Sequence, residues 1–487
     1  MEAGKLTPIF EEAFCDLETP ASLFLKLKPS APSFLLESVE GGERLGRYSF
    51  IGINPYLVAY TRGREGFILK EEKLSRVEVR GSDPLNLISE VLTPRSVEAV
   101  PDLPHFFGGA VGYLSYDVVS SFERIPLLED DELGLPDSYF MFTDTVIVFD
   151  HVQNRLKVVF LPHDLSNIEE TYQKAQEEIS KVWDRISCPY SPSPGPMFQE
   201  TFPSTSNFTE EEFCTRVKRI KEYILAGDTI QVVLSQRLRR RTLASPFSIY
   251  RALRVLNPSP YMFYLNLGDF QLIGSSPEML VKLERTRAET RPIAGTRPRV
   301  KGNDEGMVDE LLSDPKERSE HVMLVDLGRN DLGKVCRYGT VKVPLFMGIE
   351  KYSHVIHIVS QVRGELREGY NAFDLLRSCF PAGTVSGAPK IRAMEIISEL
   401  EGTRRGPYAG AVGHFGFEGN MDTCIAIRTI VMKGDTAYLQ GGAGIVADSD
   451  PHREYEESLN KIEVLKNAIS LAEGGRDDKM GYLSPGR

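Results

Sequence analysis

Phe140-Met-Phe-Thr-Asp-Thr-Val-Ile-Val-Phe149 and Arg155-Leu-Lys-Val-Val-Phe-Leu161 are runs of aromatic and β-branched residues separated by the polar stretch Asp150–Asn154. Such runs on either side of a turn-forming spacer predict a β-hairpin. Working outward, Thr229–Gln236 is a second β-branched run and reads as a buried strand. A helix precedes it. Thr209 with Glu212 has capping-box spacing, Phe213, Val217, Ile220 and Ile224 form one apolar face, and Gly227 is the stop signal. Strands follow one another across short turns throughout, which predicts antiparallel sheets with helices packed outside, an α+β fold. No repeat at a solenoid period is present.

The densest proline cluster, Ser187-Cys-Pro-Tyr-Ser-Pro-Ser-Pro-Gly-Pro196, cannot lie in a helix or central strand and reads as an extended linker. It divides the 487 residues into an N-terminal part, 10–185, a linker, 186–206, and a C-terminal part, 207–475. The polar, Gly-rich end from Gly474 reads as a frayed tail.

A net charge of -12 argues against nucleic acid as a partner, because phosphate binding needs a basic face. The one basic cluster, Arg237-Leu-Arg-Arg-Arg241, reads as a solvated strand end. Six scattered cysteines without a CxxC pair suit reduced thiols in a cytoplasmic protein. The start Met1-Glu-Ala-Gly-Lys lacks a signal-peptide pattern, and no apolar run approaches the roughly 20 residues needed to span a bilayer.

Two segments share a local design. Asp314-Pro-Lys-Glu317-Arg-Ser-Glu320 and Asp450-Pro-His-Arg-Glu454-Tyr-Glu-Glu457 each offer an Asp N-cap, a Pro at the first helical position and carboxylates at i and i+3 on one face. In the first, Glu317 is also placed to close a capping box on Asp314. Lys461 lies one turn beyond Glu457. Either these acids complement helix dipoles, or the two pairs converge on a cation; oxygen-only ligands would then favour magnesium over zinc. Gln440-Gly-Gly-Ala-Gly444 could bring backbone N–H groups close to an anion or be plain turn geometry. His357 alternates with apolar residues on a strand, as a core histidine or a functional one. Arg428 falls within the apolar run Thr423–Val431, which implies an anionic partner, internal or a ligand.

Pro292-Ile-Ala-Gly-Thr-Arg-Pro298, Asp326-Leu-Gly-Arg-Asn-Asp331, Gly383-Thr-Val-Ser-Gly-Ala-Pro-Lys390 and Gly441-Gly-Ala-Gly444 resemble, in order and number, the chorismate-utilising enzymes. Leu35-Leu-Glu-Ser38 and Arg47-Tyr-Ser-Phe-Ile-Gly52 are similar to the large subunits of anthranilate synthases. The resemblance implies two large, mostly antiparallel sheets packed together. It implies magnesium on Glu320 and Glu457, supported by Glu317 and Glu454, holding a chorismate carboxylate. Tyr408, Arg428, Lys461, Thr384, Gly442 and Gly444 would bind substrate, and Gly295 and Thr296 would line the ring. Glu278 would protonate the departing C4 hydroxyl and His357 would assist loss of pyruvate.

Within that family two positions discriminate. Water-adding relatives, the isochorismate and salicylate synthases, carry a lysine base where this chain has Gln231. Aminodeoxychorismate synthases carry a lysine nucleophile where it has Ala294. Both positions point to ammonia as direct nucleophile and anthranilate plus pyruvate as products, with aminodeoxychorismate synthesis the runner-up. No glutamine-hydrolysing motif is present, so a separate glutamine amidotransferase subunit, in a heterotetramer, is expected to supply ammonia. Glu37, Ser38, Pro260, Tyr261 and Met262 match the family's tryptophan feedback site, or else a core motif shared with unregulated relatives.

Overall fold

The computed structural model describes residues 5–39, 46–92, 97, 100–162, 167–189, 202–299, 303–351 and 355–474, apart from the side chains of Thr296 and Pro298. Most of the linker and all but the first residue of the tail lie outside the described residues.

Two large antiparallel sheets pack face to face, with helices outside. From the centre of the first sheet, Ser33–Glu37, Tyr48–Ile53, Thr145–Asp150, Arg155–Phe160 and Ile9–Phe14 run one way. Tyr261–Asn266, Phe270–Ser276, Thr429–Lys433, Thr436–Ile445 and Gln231–Arg241 run the other. The second sheet is built likewise around Gly109–Leu114 paired with Ala411–Gly416. Segments before and after the linker therefore contribute to both sheets. Six elements position the site: β1 (Gln231–Arg241), β2 (Ile293–Pro298), α1 (Pro315–Val335), β3 (Val355–Glu365), β4 (Thr436–Ile445) and α2 (Pro451–Ala472).

The first-sheet strands bury both faces. Phe34, Val146, Val148, Phe263 and Leu265 point between the sheets. Their neighbours Leu35, Ile147, Met262 and Tyr264 point outward, under helices that include Pro20–Leu27, Ile168–Ser187 and α2. Burial on both sides explains why these strands read as continuous apolar runs.

The hairpin Thr145–Asp150/Arg155–Phe160 forms in the register Asp150↔Arg155. Phe140–Phe149, however, is two strands: Ser138–Thr143 belongs to the second sheet and Thr145–Asp150 to the first. The break falls at Asp144, where the Thr145 hydroxyl bonds the carboxylate and the Thr143 hydroxyl donates to the Thr145 carbonyl. Three other corners carry a strand between sheets: Asn54–Tyr56, Pro277–Glu278 and Ala426–Arg428. Strands that switch sheets need such bends.

The arginine run is not simply a solvated strand end. Arg237 and Arg240 are buried, the first held by Gln440, Glu132 and the Arg404 carbonyl, the second by Glu473 and Ser470. The two lie on opposite faces of the strand, and each is balanced by a carboxylate, Glu132 for Arg237 and Glu473 for Arg240.

Phe263 is fully buried between the sheets. Replacing it with alanine is expected to lower unfolding free energy by about 3–5 kcal/mol in guanidinium titrations.

Candidate active site

Two of the corners deliver chemistry. Pro277 cannot donate to a ladder, so the strand ends there, and Glu278 is carried into the interior with 8% exposure. The neighbouring corner is stapled to it: Ile425 N–H donates to the Glu278 carbonyl (3.1 Å), and Ser275 N–H to the Arg428 carbonyl (3.1 Å). Arg428 thus lies between strands, with φ 51°, and not within one as its apolar surroundings predict. Its guanidinium donates to the Lys461 carbonyl, with the Glu457 charge nearby and no carboxylate ion pair among the described residues. Burial lowers its pKa.

Burial raises the Glu278 carboxyl to about 8, against the opposing pull of the Thr384 hydroxyl and the Ile293 N–H. Glu278 is therefore mostly a neutral acid at pH 7. Thr384 Oγ1 itself is buried with no hydrogen bond of regular geometry.

His357 lies on β3, opposite Thr296 of β2. The register slips between Ala294 and Thr296, and the bulged Gly295, at φ 71°, turns its carbonyl to accept from His357 Nδ1 at 2.9 Å. That bond places the neutral ring's lone pair on Nε2. Burial, the largest influence, lowers the His357 pKa. The Thr296 side chain lies outside the described residues.

Both Asp-Pro starts form as predicted, Asp314 capping α1 and Asp450 capping α2. Glu317 does not close a capping box; its carboxylate takes Arg297 Nη1 at 3.2 Å instead. Glu320 accepts from Gln231 Nε2 at 3.1 Å. Lys461 bridges Glu457 (2.7 Å) and the Gly442 carbonyl (2.9 Å). Lys316 and Lys461 both act on Glu320 and on Glu454, so the two helix starts face a common space. Burial first, then the neighbouring Glu317 and Glu457 respectively, raises the pKa of Glu320 and Glu454.

β4 closes the site. A Cβ at Gly442 would lie 3.1 Å from the Tyr408 hydroxyl, and one at Gly444 2.5 Å from Gln231 Nε2. Close approach requires Gly442, whose Cβ would also lie 2.7 Å from the Leu234 carbonyl, whereas at Gly444 the contact is the movable end of one side chain. Beyond Leu439, β4 has β1 on one edge and no further pairing with Thr429–Lys433.

The acid pairs fit a hard cation. Raised carboxyls crowded by like charges are what a bound divalent ion would relieve. Among the described residues no three His, Cys, Asp or Glu form a preassembled cage; magnesium, which keeps waters and takes few protein carboxylates, does not need one.

Glu37, Ser38, Pro260, Tyr261 and Met262 line one cavity of about 270 Å³ between the sheets, apart from the acid pairs. Glu37 is already engaged by Tyr250 and Arg254, while Ser38 Oγ and His414 Nδ1, both in the lining, are buried without partners. Sequence reasoning missed His414, Lys282 and Asp422 in this cavity and Arg297 beside Glu317. Arg297, inside a quoted motif, was the findable one.

A family model described as chorismate binding enzyme matches residues 32–467. Anthranilate synthase component 1 of Acetivibrio thermocellus is 50% identical over 480 residues, 96% of each chain. That of Aquifex aeolicus is 49% identical over 487 residues, 98% of this chain and 97% of the relative. The crystal structure of anthranilate synthase component I from Streptococcus pneumoniae superposes with TM-score 0.78 at 35% identity, covering 93% of this chain and 99% of that one. The menaquinone-specific isochorismate synthase of Escherichia coli, at 17% identity and TM-score 0.70, shares the fold. The chain belongs to the chorismate-binding enzymes, in their anthranilate synthase component 1 branch. No helix among the described residues is long and apolar enough to cross a membrane.

Glu278 has a folded pKa of about 8 against an ordinary 4.5. Its contribution to stability is therefore greatest below about pH 4.5 and declines as pH rises through 8. Glu278→Gln removes this titration, so the Tm of that variant relative to the native chain is expected to rise between pH 5 and pH 9 in thermal scans.

Proposed function

We propose that this site converts chorismate and ammonia to anthranilate and pyruvate, as the names of its full-length relatives imply. The observation that carries the chemistry is one buried site holding a protonated carboxyl, a neutral imidazole and carboxylates short of a cation. Glu278 gives its proton to the C4 oxygen as that bond breaks. Ammonia adds at C2, near Gln231, where no lysine competes as base. His357, neutral with its lone pair on Nε2, takes part in the elimination of pyruvate that makes the ring aromatic. Arg428, Lys461, Tyr408, Thr384 and the backbone at Gly442 and Gly444 hold the substrate's anionic groups, and Gly295 with Thr296 borders the ring. Glu320 and Glu457, supported by Glu317 and Glu454, would hold magnesium, which offsets the charge of a substrate carboxylate.

Purified chain with chorismate, magnesium and an ammonium salt is expected to generate anthranilate fluorescence. Removing magnesium with a chelator, or Glu457→Gln, should abolish the signal; full activity in either case would remove the metal assignment. Glu278→Gln is expected to cost about 10²–10⁴-fold in kcat.

Segment 10–185 supplies Glu37 and Ser38 to the cavity between the sheets and 207–475 supplies Pro260, Tyr261 and Met262. This cavity is read as a tryptophan inhibitor site, supported by its orphaned Ser38 hydroxyl. Ser38→Leu should raise the tryptophan concentration for half-inhibition roughly tenfold or more, by filling the cavity and removing the hydroxyl. Ammonia comes from glutamine through a separate amidotransferase subunit, expected in a heterotetramer in the cytoplasm. Copurification with that subunit should confer glutamine-dependent turnover.

A further inference from the structure

Behind Glu278 lies a second, smaller cavity of about 40 Å³. Glu278, Thr384, Asp331, Cys379 and Gly328 are all in its lining. Leu324, Leu327 and Ile425 are among its apolar walls. Each enclosed water needs roughly 10–15 Å³, so there is room for about three or four.

Asp331 is 8% exposed and belongs to no part of the chemistry described above. Lys390 Nζ donates to one of its oxygens at 2.7 Å, and Lys334 Nζ stands 3.5 Å from the other. Lys334 has 56% of its side chain in solvent, so this carboxylate connects the cavity to the surface. The Cys379 thiol, raised by burial to about 12, is the remaining titratable group there and does not ionise. Among the described residues, the groups that act on the Glu278 carboxyl are the Thr384 hydroxyl and the Ile293 N–H, neither of them charged.

A carboxyl that protonates a leaving hydroxyl must regain a proton in each cycle. We propose that the cavity behind Glu278 is its proton path to solvent, with Asp331 as the outer relay. The inference rests on Glu278 being the acid of the proposed reaction. In balance, the Glu278 proton passes to the C4 oxygen as the C4–O bond breaks and water leaves. The carboxylate then takes a proton from cavity water, and that water is restored by a proton from solvent that the Asp331 carboxylate accepts on its outer side and releases inward. Asp331 acts through water and Glu278, and touches no reacting atom.

Asp331→Asn keeps the shape beside Lys390 but cannot relay. With ammonium salt and saturating chorismate, kcat is expected to fall roughly tenfold, less than for loss of the acid itself. KM for chorismate should stay within about twofold, the solvent deuterium isotope effect on kcat should grow, and kcat should rise with imidazole buffer concentration at fixed pH. A wild-type kcat, or a loss insensitive to both buffer and deuterium, would overturn the relay. Should Asp331→Asn fail to fold by circular dichroism, Ala382→Val, which narrows the cavity and leaves Asp331 in place, is expected to show the same isotope and buffer effects, and their absence overturns the relay. Full turnover in Glu278→Gln would instead overturn the assignment of the acid, a different failure.

Discussion

Four bends that carry strands from one sheet to the other determine where everything else can lie. A strand that leaves one ladder for another must leave backbone groups unpaired over one to three residues here, and those groups need partners elsewhere. At Pro277–Glu278 and Ala426–Arg428 the partners are each other's strands, through Ile425 N–H to the Glu278 carbonyl and Ser275 N–H to the Arg428 carbonyl. The bends are thus cross-linked, and the side chains they carry are fixed within the sandwich. An acid and an arginine placed on such corners have little freedom to relax, which suits groups that must meet a substrate in one geometry.

Buried charges are compensated to different degrees, and carboxyls raised by burial also occur away from the site, at Asp117 and Glu418. Arg405 is fully enclosed, yet Glu401 and the carbonyls of Val385 and Val233 satisfy it. It ties β1, the Gly383–Val385 turn and the loop bearing Tyr408 together, and its charge is compensated. Asp150 is likewise answered by Arg47, which helps hold its pKa below the ordinary value. Glu278, Glu320 and Glu454 differ: desolvation outweighs the partners the chain provides, and all three are raised. Leaving a carboxyl uncompensated costs stability, and these three cluster where ligands of complementary charge would bind.

Legibility in the sequence followed the range of the interaction. The Asp314 and Asp450 caps, the Thr209 box and the hairpin after Asp150 rest on contacts within a few residues, and all were readable. The split at Asp144 was not, because its cause lies in which distant strand each side joins. Arg428 was misread for the same reason: its apolar neighbours serve two strands in different sheets. The resemblance implied one site for the acid pairs, and Lys461, one turn from Glu457, was local enough to read, but Arg297 for Glu317 and Gln231 for Glu320 come from segments 20 and 89 residues away.

The order of strands outward from each sheet's centre repeats between the two halves of the chain, so each corner has a counterpart: Asn54 for Glu278 and Asp144 for Arg428. The helix after the counterpart hairpin, Ile168–Ser187, corresponds to α2. Counting from the first residue of each helix, Lys174 and Glu178 stand seventh and eleventh, where α2 has Glu457 and Lys461. A cavity of about 200 Å³ remains at that corner, lined by Asn54, Asp144, Lys174 and Glu178. The backbone device is therefore present twice, with the helix charges reversed and Asn54 at the first copy where the second has Glu278. Fold alone does not make the site; the residues set on the bends do. A corner that buries Glu278 and opposes Arg428 to Glu457 has the polarity for an anionic substrate and a cation, whereas its counterpart sets Lys174, Lys181 and Arg185 beside Asp144 and Glu178.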